Sequence, residues 1–87
     1  VTVDWREVAT ATMHPIQVRI VELLDGHVRS PSDLARIIGH PQANVSFHVR
    51  QLRDKGVVRL VRQHRHRGGL EHFYALNPDH RDAHPPP

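Results

Sequence analysis

The sequence predicts a mainly α domain closed by a β-hairpin. Three observations predict it. Apolar residues recur at helical intervals in four segments between residues 4 and 55. Punctuation of the kind that starts and stops helices separates those segments: Asp25-Gly26, Ser30-Pro31, Gly39 and Gly56. Beyond Gly56 the pattern changes to two β-branched and apolar-rich runs around Gly68-Gly69. With 87 residues there is room for one small domain. We expect it to occupy residues 1–78, with residues 79–87 as a flexible polar and proline-rich tail. Hydrophobic residues make up 38%, so the core is thin and a partner subunit would help to stabilise it.

The first expected helix runs from Asp4 to about Met13. Asp4 and Glu7 have capping-box spacing, and Trp5, Val8, Ala9 and Thr12 form one modest apolar stripe. That stripe suits either the core or a dimer surface. His14-Pro15 opens the second helix, with proline where its missing N–H is not needed. Ile16, Ile20, Leu23 and Leu24 are its apolar face, and Asp25-Gly26 ends it. Ser30-Pro31-Ser32-Asp33 starts a third, short helix: Ser30 caps, Pro31 fits the first turn and Asp33 completes a capping box. Leu34, Ala35 and Ile38 face inward, and Gly39 supplies a left-handed stop. A fourth helix spans Pro41 to Lys55. Val45, Val49 and Leu52 share one side, with His48 at its edge, while Ala43, Phe47, Arg50 and Asp54 lie opposite. Phe47 on the outer side of a basic helix calls for a partner. Val57 to Gln63 and Leu70 to Leu76 are the expected strands, and His64 to Gly69 the turn between them, with Gly68-Gly69 able to take positive φ. Two helices joined by a turn of about three residues form a helix-turn-helix, and a hairpin after the second is a wing. The expected fold is therefore a winged helix-turn-helix.

Charge narrows the function. Residues 1–49 carry four basic and five acidic side chains; residues 50–67 carry seven basic (Arg50, Arg53, Lys55, Arg59, Arg62, Arg65, Arg67) and only Asp54 acidic. A neutral body with one concentrated basic segment suits a phosphate partner better than it suits mere solubility. The absence of cysteine removes disulfides, thiolate metal sites and cysteine nucleophiles. No glycine-rich phosphate loop and no nucleophile with a base and an orienter is present, so an enzyme is not expected, and neither is a cofactor. No apolar run reaches membrane-spanning length and no signal peptide is visible, so the expectation is a soluble cytoplasmic protein without a membrane partner. Eleven arginines to one lysine suggest a GC-rich bacterial source. The chain opens on a valine and closes on Pro85-Pro86-Pro87, and further elements are expected beyond its ends.

The segments "HPIQVRIVELL", "SDLARIIGHPQANVSFHVRQLRDKGVVRLV" and "FYAL" resemble the ArsR-type winged helix-turn-helix repressors, over roughly Met13 to Asn77. Ala35, Gly39 and Val45 occupy the alanine, glycine and branched-aliphatic positions of the helix-turn-helix pattern. Ala35 lets two helices approach, Gly39 makes the turn and Val45 plugs the reading helix into the body. The resemblance implies a DNA-binding repressor, commonly dimeric. This chain departs from the family in four places. Pro41 replaces the usual serine or threonine cap, which shifts the cap to His40. Gln17 stands where an arginine is common. The cysteine metal motif is missing from the short helix, which reads SPSDLARI. The family's C-terminal dimer helix is also missing.

A helix entering the major groove presents its first turns to base edges. Gln42 and Asn44 have amides suited to adenine, or else they cap the helix. Ala43 lies beside them. Phe47 suits a thymine methyl, or else it packs on the wing or a dimer mate. Ser46 can bond a base or a phosphate, Arg50 and Gln51 bases or backbone, and Arg53 and Lys55 phosphate. His48 is a half-buried packing residue. In the wing, Arg62, His64, Arg65, His66 and Arg67 suit the backbone or the minor groove. His64, His66 and His72 are an outside candidate for a zinc or nickel site, opposed by the arginines around them. The partners expected are double-stranded DNA, a second copy meeting through Trp5, Val8, Ala9, Thr12 and Met13, and a small-molecule effector. The alternative is a winged-helix module that binds proteins instead of DNA.

Overall fold

The computed structural model describes residues 14–78. The expected Asp4–Met13 helix, with its dimer-surface residues Trp5, Val8, Ala9, Thr12 and Met13, lies outside the described residues, as does the tail. Three helices and a two-stranded antiparallel hairpin follow in order: α1 (Pro15–Leu24), α2 (Pro31–Ile38), α3 (Gln42–Asp54), β1 (Val58–His66) and β2 (Gly69–Leu76). This is the winged helix-turn-helix that the sequence predicts. Among the described residues no helix is long and apolar enough to cross a membrane.

Local chemistry sets each boundary. His14 caps α1, its Nδ1 accepting from the Ile16 N–H at 3.1 Å, with Pro15 at the first position. Ser30 Oγ caps α2 by accepting from the Asp33 N–H at 3.1 Å. The Asp33 carboxylate does not complete the expected box; it pairs with Arg36 one turn later at 3.2 Å. Gly39 ends α2 at φ +83°, a backbone conformation that a side chain would strain, and its N–H donates to the Ala35 carbonyl. The helix α3 begins one residue later and ends one residue earlier than the sequence predicts. Pro41 is its N-cap and Lys55 its C-cap. Pro41 has no side-chain acceptor to offer, so the cap makes no side-chain hydrogen bond. The cap does not move to His40: the Asn44 and Val45 N–H groups, in the first turn of α3, donate to the Pro41 carbonyl.

The core forms where the three helices meet the base of the hairpin. Ile20 and Leu24 of α1, Leu34 of α2, Val45, Val49 and Leu52 of α3, and Val57, Val58 and Tyr74 beyond are buried together. Val21 joins this core, while Leu23, expected on the inner face of α1, is only partly buried. A short bridge ties the hairpin to the loop after α1: Arg29 and Tyr74 exchange both backbone hydrogen bonds, at 3.0 and 2.9 Å.

The hairpin is longer than expected. The strand β1 starts at Val58, runs three residues past Gln63 to His66, and leaves Arg67-Gly68 as the connection. Gly69 takes the positive φ, at +129°, and Gly68 does not. Only Val58 of β1 is buried, so the strand leaves the body almost at once. A bulge at Val61 shifts the register between the Leu60–Tyr74 and Arg62–Phe73 pairs.

Leu52 is fully buried at the junction of α3 with the rest of the core. Leu52→Ala should lower stability by about 2–5 kcal/mol through cavity formation. A urea titration followed by circular dichroism measures it.

Candidate nucleic-acid interface

The amphipathic character of α3 creates the site. Burying Val45, Val49 and Leu52 turns the opposite side of the helix outward. Gln42, Ala43, Asn44, Phe47, Arg50, Gln51, Arg53 and Lys55 are exposed, and Ser46 is half-buried. Gln42 and Asn44 make no capping bond to the end of α3; the Pro41 carbonyl receives the N–H groups of Asn44 and Val45. Phe47 is 49% exposed, and its ring meets His48 edge-on, centroids 5.4 Å apart. Arg53 lies 3.5 Å from Asp54, an exposed pair that costs little to open.

Strand pairing sorts the wing residues. Arg62, His64 and His66 fall on one face, together with Phe73 and Glu71 of β2. Arg62 lies over the Phe73 ring, 4.3 Å from its centroid, which holds the guanidinium against the sheet. The His64 and His66 rings stack at 6.1 Å, and His66 Nε2 lies 3.8 Å from Glu71. Arg65 pairs with Leu70 on the opposite face, and Arg67 sits at the tip. The five wing residues grouped by the sequence therefore divide between two faces and the turn. His72 pairs with Gln63, on the face away from His64 and His66, so the three imidazoles considered for a metal do not converge.

One part of the site is not apparent from the sequence. Gln17, only 3% exposed on α1, lies between two residues of α3. Its Nε2 is 3.1 Å from His48 Nδ1 and donates to Gln51 Oε1 at 3.0 Å. The His14 ring packs on His48 at 4.6 Å. The spacing of His14, Gln17 and Ile20 along one side of α1 was the available signal: a glutamine within an apolar stripe needs a buried polar partner. His48 is more buried than expected, at 9% exposure. Burial, then the neighbouring His14, holds its pKa below the usual 6.5.

The sequence profile of a helix-turn-helix domain family matches residues 12–61, from just before α1 through α3 to the bulge. The chain belongs to this helix-turn-helix domain family. The second helix of the motif in this chain is α3; in DNA-binding helix-turn-helix domains that second helix is the recognition helix. As a class they are DNA-binding modules and not catalysts. The crystal structure of M. tuberculosis Rv0081 is similar to this helix-turn-helix chain. The two share 29% identity with a TM-score of 0.60, over 82% of this chain and 67% of that one. No curated protein matches the sequence. The matched span stops short of the wing tip at Arg65–Gly68.

The lowered His48 pKa gives a signed pH dependence. Below 6.5 the unfolded chain binds more protons at this position than the folded one does. The stability due to neutral His48 is thus complete above pH 6.5 and is lost as the pH falls through the lower folded value. Urea titrations across that range should show a steeper loss for the native sequence than for His48→Gln.

Proposed function

We propose that this chain is a sequence-specific double-stranded DNA-binding transcription regulator of the ArsR type, acting as a repressor. The observation that carries the reading is the exposed face of α3. Two amides, Gln42 and Asn44, and one apolar ring, Phe47, are exposed in the first half of a helix whose other side is the core. Such a set suits adenine edges and a thymine methyl in the major groove. A solvated face would gain nothing from the exposed phenylalanine. Ala43 leaves room for close approach, and Ser46 and Arg50 flank the reading turns. Arg53 and Lys55 supply phosphate contacts, which set affinity more than sequence preference.

In this reading the wing lies along the flanking backbone or minor groove. Arg67 leads at the tip, Arg65 works from one face, and Arg62, His64 and His66 work from the other. Two copies would bind as a homodimer through Trp5, Val8, Ala9, Thr12 and Met13, reading half-sites about one helical turn apart. An effector for such a regulator would be a small molecule and not a thiolate-held metal, because these residues include no cysteine.

The first test is fluorescence anisotropy against genomic fragments, including the DNA upstream of the gene, at low and moderate salt. One fragment held at moderate salt is the expected result; no binding even at low salt would overturn the reading in favour of a protein-interaction module. Gln42→Ala and Asn44→Ala should each change base preference and cost about 1–3 kcal/mol on the preferred site. Arg65→Ala and Arg67→Ala should instead weaken all sequences alike and each lower the salt slope by about one. Identical behaviour of all four variants would sink the groove assignment.

A further inference from the structure

Gln51 differs from the other polar residues of the reading face. Gln42 and Asn44 have side-chain amides free to turn either way. The Gln51 amide is held. Its Oε1 accepts from Gln17 Nε2 at 3.0 Å, and Gln17 is anchored in the interior of the domain. The same Nε2 meets His48 Nδ1 at 3.1 Å. A primary amide has two N–H donors, so one nitrogen serves both acceptors. His48 then carries its proton on Nε2, which is the tautomer that leaves Nδ1 able to accept. Gln17 thus orients both His48 and Gln51.

The consequence falls on the exposed end of Gln51. Its oxygen is turned toward Gln17 and engaged there. Its NH2 group has no partner among the described residues and points away from Gln17. A free glutamine can pair with adenine through both of its groups, donating to N7 and accepting from N6. A glutamine held in this way, with its oxygen turned to Gln17, presents its NH2 group and not its oxygen to the outside. We propose that Gln17 is a positioning residue that fixes Gln51 as a one-way hydrogen-bond donor toward an acceptor on DNA. The acceptors available are the N7 of either purine, guanine O6, thymine O4, or a phosphate oxygen. Restraint of the Gln51 side chain before binding also removes part of its ordering cost. The inference rests on the proposed placement of α3 against DNA and adds to it which residue is held and which chemistry it selects.

A double-mutant cycle tests it, using the full chain and the preferred fragment from the anisotropy experiment. Gln51→Ala should weaken binding by roughly tenfold through loss of the donor. Gln17→Met keeps the buried volume but releases Gln51, and should weaken binding by roughly two- to tenfold. In the Gln51→Ala background the same Gln17→Met change should have no further effect, because there is no amide left to hold. An equal loss in both backgrounds would mean that Gln17 only supports the fold, and would overturn the proposal. Selection from a randomised site separates the two sources of acceptor. A base preference at one position that disappears with Gln51→Ala places the acceptor on a base. A loss that is uniform over sequences, and reproduced by neutral methylphosphonate linkages, places it on the backbone. Nitrogen NMR of the His48 ring gives a check that does not involve DNA. The expected pattern has Nδ1 bare and Nε2 protonated; a proton on Nδ1 would reverse the network and overturn the assignment. A native domain that selects no sequence would overturn the groove reading itself, while the ring spectrum would still report on the network.

Discussion

The rest of the molecule depends on the seating of α3. Val45, Val49 and Leu52 are each fully buried among residues from both other helices and from the hairpin base. In a domain this small, three such side chains supply much of the hydrophobic stabilisation. They also fix the rotation of α3 about its own axis. Once that rotation is set, the helix has no freedom over what it shows to the outside. Gln42, Asn44 and Phe47 are exposed because Val45 and Val49 are not.

The same constraint explains why the polar network sits where it does. Gln17 lies on the buried side of α1, close to the edge of the α3 seam, where His48 and Gln51 pass from interior to surface. At that edge an apolar residue would leave the His48 Nδ1 lone pair facing the core unpaired, which is costly. Gln17 pairs it, and its second N–H reaches the surface at Gln51. The core and the exposed face are therefore not separate structures; a buried amide joins them. The same burial disfavours an arginine at position 17. A guanidinium buried against a neutral histidine would lack a counter-charge.

Much of this was legible in the sequence, for reasons that differ by element. His14-Pro15, Ser30-Pro31, Gly39 and Gly56 mark helix ends by local chemistry alone, and the structure places the ends within a residue or so of them. The inner face of α3 follows from helical spacing. The wing was less legible. Beyond the bulge, β1 reads R-Q-H-R-H and is exposed on both faces, so no alternation of apolar and polar residues marks it as strand. Its pairing comes from the turn and from β2, which the residue pattern of β1 itself does not show. The Arg29–Tyr74 bridge is a single residue pair and leaves no pattern at all. The Gln17 network could be suspected from one polar residue in an apolar stripe, but its partners lie 31 and 34 residues away.

The bulge at Val61 has a bearing on how such a wing can change over evolutionary time. Side chains on a strand alternate, so Val58, Leu60 and Arg62 would share a face in an unbroken β1. The extra residue reverses the alternation, so Val58 and Leu60 pair with Leu76 and Tyr74, while Arg62 turns to the Phe73 side. Losing or gaining one residue of β1 between Arg62 and the tip, with the bulge kept, would exchange the faces of the β1 side chains beyond it. An arginine on the Leu70 face, such as Arg65, would move to the Phe73 face, and a histidine would take its place, in a single step. Loss or gain of residue pairs near the tip, in contrast, would only shorten or lengthen the arm. Length variation in wings of this build should therefore come in twos, with the bulge kept in place as the reference point.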